Sequence, residues 1–191
     1  MATFYRGAGV GTYWHLNDAR VSRFNPHFPG APRTTASMMN HIKNGTTTSP
    51  FVSMTRSYSV AWSYALFSGH SVPTAAIPAC VYEIVIDDPP PLGLAVLDPL
   101  REIAASVPSP LSAISYQHDG LPAFLMGVLD PVAMNHHLIA PIKQTPPGGA
   151  AQRAANLTAE LETMVRIPRD AEILAVGAIP AGCVVNRFDV S

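Results

Sequence analysis

Charge is scarce in this chain. Only 13% of its 191 residues are Asp, Glu, Lys or Arg, 12 basic against 13 acidic, for a net charge of −1. A balance this even removes the general electrostatic case for nucleic-acid binding. Cysteine is scarcer still: Cys80 and Cys183 are too few for a disulfide framework. Both sit in apolar, β-branched stretches (ACVYEIVI and GCVV), which reads as buried free thiols. No apolar run approaches the roughly 20 residues of a membrane span, and the opening MATFYRGAGVG holds no signal-peptide core. HExxH and paired CxxC are missing, and the seven histidines are scattered, so no metal site is expected. There is no GxSxG nucleophile elbow. GAGVG at Gly7–Gly11 lacks the GxGxxG spacing and leads into TYWHLND rather than a clean helix, which rejects a dinucleotide fold of the Rossmann type.

What remains is a chain rich enough in apolar residues, 48%, to bury a core. Its length fits a single domain over residues 1–191. Nineteen prolines against thirteen glycines imply short elements with stiff connections. Strands are expected at Thr3–Ala8, Phe51–Thr55, Cys80–Ile86, Glu172–Ala178 and Cys183–Val190, the last two as a hairpin around Pro180–Gly182. Helices are expected at Thr34–Asn44, capped by Thr34 or Thr35 and ended by Gly45, and at Ser57–Phe67, with Val60, Tyr64 and Phe67 on its apolar side. Asn17–Pro32 reads as loop. Leu97–Ser106, Pro131–Leu138 and Ala150–Val165 have helical composition, and Pro146–Gly149 a hinge between them. The sum is an α+β fold with a strand-rich C-terminus.

Three weak signals, spread over the whole chain, stand out together. They are an arginine on the first strand (FYRG, Arg6), a Ser-x-Thr on a short strand (FVSMT, Ser53 and Thr55), and two carboxylates one residue apart (DAEIL, Asp170 and Glu172). Strand residues i and i+2 share a face, so Asp170 and Glu172 are expected to project together into one cleft. Paired carboxylates suit chemistry at an anomeric carbon, where the transition state is oxocarbenium-like. An arginine fork suits a pyrophosphate.

At these residues the sequence resembles the mono-ADP-ribosyltransferases of the arginine–serine–glutamate class, above all their cholera- and pertussis-toxin-like branch. FYRG, FVSMT and DAEIL stand in the family's order. NHIKNG (Asn40–Gly45) resembles the helix end that carries an active-site histidine there, which points to His41. DAEILAVGAIPAGCVV is similar to the family's closing strands. The resemblance covers residues 3–86 and 164–190 in islands, leaving 87–148 as a variable insert or substrate-recognition region. Two departures are plain: Met54 and Thr55 follow Ser53 where the family has Thr and Ser, and Asp170 replaces Glu or Gln.

The resemblance implies two small, mostly antiparallel sheets packed around an NAD cleft, with flanking helices. It implies that NAD is the co-substrate, that Arg6 binds its phosphates and that Gly7 grips the nicotinamide amide. Ser53 would fix the rotamer of Glu172, Thr55 would support the cleft, and His41 would contact a ribose or order the site. Glu172 would hold the ribose 2′-hydroxyl and stabilise developing positive charge. Asp170 would serve the acceptor, a hydroxyl side chain or an arginine of a host protein. Arg166 and Arg169 fall where an acceptor loop would lie, although solvated loop charges are the commoner reading. A monomeric toxin or effector, secreted or injected and acting in a target cell's cytosol, fits the family. Water as acceptor (an NAD glycohydrolase), a nucleic-acid acceptor, and a catalytically lapsed binding module stay open as alternatives.

Overall fold

The computed structural model describes residues 1–45, 47–106, 163 and 166–191. They fall into two compact units, one of residues 1–99 and 170–191, the other of 100–169. The expected helices at Pro131–Leu138 and Ala150–Val165 and the hinge at Pro146–Gly149 lie outside the described residues. Of the second unit, all of α5 (Pro99–Ser106) but its first residue and the helical residues 166–169 are described, with Thr163 and Ile167 buried. Arg166 and Arg169 belong to this unit.

The first unit is α+β. Its six strands are β1 (Ala2–Ala8), β2 (Phe51–Thr55), β3 (Ala79–Ile86), β4 (Ala95–Leu97), β5 (Glu172–Val176) and β6 (Val184–Val190). They form one open antiparallel sheet in the order β4-β5-β2-β1-β3-β6. The expectation of two separate sheets is corrected here, and the reason lies in the pairing. β4-β5-β2 and β1-β3-β6 are each extensively paired, whereas β1 and β2 join them through Tyr5↔Thr55 alone. One residue pair makes the halves a single sheet.

The expected C-terminal hairpin does not form either. β5 and β6 lie four places apart in the sheet, and the chain between them crosses beneath it. Phe24 and Ile179 pin that crossing through reciprocal backbone hydrogen bonds of 2.9 and 3.1 Å. The stretch assigned to helix from Leu97 instead begins as the edge strand β4, and α5 starts at Pro99, the favoured place for proline in a helix.

Local signals set most boundaries. α3 (Thr35–Asn44) is capped by Thr34, whose hydroxyl accepts from Ser37 N while Ser37 Oγ accepts from Thr34 N. α4 (Tyr58–Phe67) is capped by Ser57. The loop after β1 carries two single-turn helices, α1 (Tyr13–Leu16) and α2 (Ala19–Ser22). One face of the sheet buries Phe4, Val52, Met54, Tyr82, Ile84 and Ile173 against Phe24 and Ile179. Trp14, Phe24 and Tyr82 stack edge-to-face, with ring centroids 4.8 and 5.3 Å apart. Both cysteines are buried and free.

The apolar side expected for α4 is wrong. Phe67 is 81% exposed and Tyr64 also faces out, while Ala61 and Ala65 are buried. The helix lies so close to β1 that only small residues fit: a Cβ on Gly7 would sit 2.1 Å from the Ala61 carbonyl oxygen. The turn after β1 is as tight, since a Cβ on Gly9 would come 2.2 Å from Gly69 N. Backbone atoms cannot yield as a side chain can. Gly9→Ala is therefore expected to cost about 1–3 kcal/mol, read as a lowered unfolding midpoint. Gly182→Ala, where a Cβ meets nothing within 4 Å, should leave the midpoint unchanged. Equal midpoints for both variants would contradict this packing.

Candidate active site

A cleft of about 330 Å3 opens beside the β1–β2 junction, lined by Arg6, Gly7, His41, Ser53, Thr55, Asp170 and Glu172, with Tyr64 and Val60 from α4. All seven residues singled out in the sequence thus reach one place. The volume falls in the range of small-molecule sites, about 300–1,000 Å3.

The junction explains why Arg6 is there. Continuing the antiparallel register from Tyr5↔Thr55 would put Gly7 opposite Ser53, but the strands pair no further. The carbonyl of Ser53 instead accepts from Arg6 Nη1. The guanidinium carbon lies 5.7 Å from the centroid of Phe24. Burial pulls the Arg6 pKa down to about 10, opposed by the Glu172 carboxylate, so the group stays charged at neutral pH. Its Nε is buried and has no hydrogen-bond partner among the described residues.

Ser53 and Glu172 sit on adjacent strands, with Ser53 paired to Leu174 and Thr55 to Glu172. Ser53 Oγ donates to Glu172 Oε1 at 2.9 Å, and the Glu172 side chain is 12% exposed. His41, from the last turn of α3, lies behind them with its side chain fully buried. Its Nε2 is 2.7 Å from Ser53 Oγ, its Nδ1 2.6 Å from Ser49 Oγ, and its ring packs edge-on against Phe51. Burial, aided by the Arg6 charge, lowers the His41 pKa to about 4. The ring is neutral at pH 7 and its 3.9 Å approach to Glu172 Oε1 is no ion pair.

Asp170 reaches the cleft by a different route from the one expected. β5 begins at Glu172; Asp170 and Ala171 form the turn before it, and Ala171 has φ +45°. The two carboxylates therefore do not share a strand face by alternation. The left-handed residue reorients the chain between them. Thr55 Oγ1 donates to the Asp170 carbonyl at 2.6 Å, and Tyr64 Oη donates to Asp170 Oδ2 at 3.0 Å. Met54, by contrast, packs into the core on the opposite face, as strand alternation requires.

Sequence reading missed three contributors. Ser49 sits in a turn before β2, where Ser-Pro reads only as a strand entry. Phe24 emerges from a loop and arrives under Arg6 through its bridge to Ile179. Tyr64 reads in the sequence only as one of the apolar residues on one side of α4. No local pattern signals these pairings, because each is made by tertiary packing. Among the described residues, no cluster of His, Cys, Asp or Glu could hold a metal ion, and no helix is long and apolar enough to cross a membrane.

No protein-family model and no curated protein matches the chain.

The depressed His41 pKa has a consequence for stability. Unfolding returns the group to its ordinary pKa of 6.5, so between pH 4 and 6.5 the unfolded chain binds the extra proton. The contribution of His41 is complete above pH 6.5 and is lost as pH falls toward 4, with a slope of up to about 1.4 kcal/mol per pH unit. Urea unfolding of wild type and His41→Gln across that window should show the steeper fall in wild type. Parallel pH profiles would count against a buried neutral histidine.

Proposed function

We propose that this chain is a mono-ADP-ribosyltransferase that uses NAD as co-substrate, releases nicotinamide and transfers ADP-ribose to a macromolecular acceptor. The observation that carries this reading is the convergence of Arg6, Ser53 and Glu172 on one cleft, with Ser53 Oγ hydrogen-bonded to a carboxylate 119 residues away. These are the residues on which the resemblance to the arginine–serine–glutamate class rests. A dinucleotide offers an anionic diphosphate, neutral ribose hydroxyls and a cationic nicotinamide. The cleft offers a charged arginine, a serine hydroxyl and a carboxylate. The two sets are complementary.

Arg6 binds a phosphate oxygen through its guanidinium. Gly7, whose lack of a Cβ is already required by α4, presents backbone to the nicotinamide amide. Glu172 accepts from the ribose 2′-hydroxyl and stabilises positive charge at the adjacent carbon as the bond to nicotinamide breaks. Its electrons leave with the ring nitrogen. Nicotinamide is a good leaving group, so catalysis is chiefly placement plus a fixed carboxylate facing developing charge. Ser53 holds that carboxylate, His41 holds Ser53, and Thr55 anchors the turn that carries Asp170. Asp170 receives the acceptor and takes its proton. Being a methylene shorter than Glu, it fits a Ser or Thr hydroxyl at least as well as an arginine. A toxin or effector acting on a host protein is the biological setting the resemblance favours.

Incubation of the purified protein with labelled NAD and a eukaryotic cell lysate tests the reading. Label should appear on a discrete protein band, and nicotinamide release should fall roughly 10²–10³-fold in Glu172→Gln, as when a transition-state charge stabiliser is removed. Asp170→Asn should lose the labelled band while retaining slow nicotinamide release. Nicotinamide release without a labelled macromolecule would make water the acceptor. Neither turnover nor NAD binding would overturn the reading and leave a binding module.

A further inference from the structure

Ser49 has no role in the reading above, yet it is 2% exposed and placed directly behind the site. Its Oγ touches His41 Nδ1 at 2.6 Å and accepts from Phe51 N at 3.1 Å. Four hydrogen bonds thus run in series: Phe51 N to Ser49 Oγ, Ser49 Oγ to His41 Nδ1, His41 Nε2 to Ser53 Oγ, and Ser53 Oγ to Glu172 Oε1.

The Glu172 end fixes the direction of the protons back to Ser49. Phe51 N–H can only donate, and an ionised Glu172 can only accept. Ser53 therefore spends its proton on Glu172 and must accept from His41 Nε2–H. A neutral imidazole with a proton on Nε2 has a lone pair on Nδ1, which takes the proton of Ser49. The opposite tautomer would pull the Ser53 proton away from Glu172 and leave the Ser49 proton without an acceptor among the described residues.

We propose that Ser49 is a positioning residue: it locks His41 in the Nε2–H tautomer, and through His41 it points the Ser53 proton at Glu172 and holds that carboxylate in one orientation. The catalytic consequence rests on the transferase reading; the tautomer lock does not. The two links at Ser49 are buried and the series ends on a charge, which strengthens these bonds relative to the same bonds in water.

Imidazole nitrogen shifts of the 15N-labelled full-length protein at pH 7, assigned with His41→Gln, test the lock directly. Wild-type His41 should show a protonated Nε2 and an unprotonated Nδ1. Ser49→Ala should move both nitrogens toward averaged shifts as the second tautomer becomes populated, and Ser49→Thr should restore the wild-type pattern. In the same variants kcat for nicotinamide release should fall about tenfold in Ser49→Ala, with KM for NAD within about twofold, and recover in Ser49→Thr. A wild-type His41 protonated on Nδ1, or an averaged pattern, would overturn the lock without any variant being made. A shifted tautomer with unchanged kcat would overturn the positioning role. Absence of nicotinamide release in wild type would be a failure of the transferase reading, and the nitrogen shifts would still decide the lock.

Discussion

The sheet is held together at its centre by a single residue pair. On either side of Tyr5↔Thr55 the strands β1 and β2 part, and the edges they expose there are ordinary peptide groups that need partners. Arg6 supplies one by donating to the Ser53 carbonyl. That contact ties the two halves beyond the point where backbone pairing stops. It also buries a cation beside the strand that carries Ser53, with Phe24 as its apolar backing. The cleft exists because the strands separate, and Arg6 is held in it because the separation leaves a carbonyl for it to satisfy.

A buried cation imposes conditions on its neighbours. Glu172 supplies the opposing charge and offsets part of the cost of burying Arg6. His41, enclosed and near the same cation, cannot also be charged, and its pKa falls accordingly. A neutral histidine is a hydrogen-bond relay rather than a second cation. The site therefore has one buried cation, the carboxylates of Glu172 and Asp170, and a neutral link behind Ser53. Groups of both signs thus line one cleft, each held by contacts within the protein.

Much of this was legible in the sequence. Caps and glycines marked α3 and α4 to within a residue, because those signals are local and their hydrogen bonds are made within one turn. Strands β1, β2, β3 and β5 followed from β-branched and aromatic runs. Arg6, Ser53 and Glu172 stand out as a set because FYRG, FVSMT and DAEIL follow the order of the motifs that the sequence resembles. What failed was non-local. The buried side of α4 was misassigned because large apolar residues normally mark it, whereas here close approach to Gly7 selects Ala61 and Ala65. The hairpin was misassigned because sequence neighbours usually pair, whereas the Phe24–Ile179 bridge carries the chain to the far edge of the sheet. Ser49 carried no signal because its role depends on a helix delivered by a different segment.

Asp170 and Glu172 reach one cleft, as expected, but not by the geometry that their spacing implied. Alternation along a strand would have tied the two carboxylates to one another, so that any shift of β5 moved both. The left-handed Ala171 breaks that tie, at a cost typical of a non-glycine residue in this region. Glu172 then takes its position from β5 and Ser53, while Asp170 takes its position from Thr55 and from Tyr64 on α4. The two carboxylates have separate anchors on separate elements. A substitution at Tyr64 removes a hydrogen bond of Asp170 without touching the bond that Ser53 makes to Glu172, so the geometry of one carboxylate can change separately from that of the other.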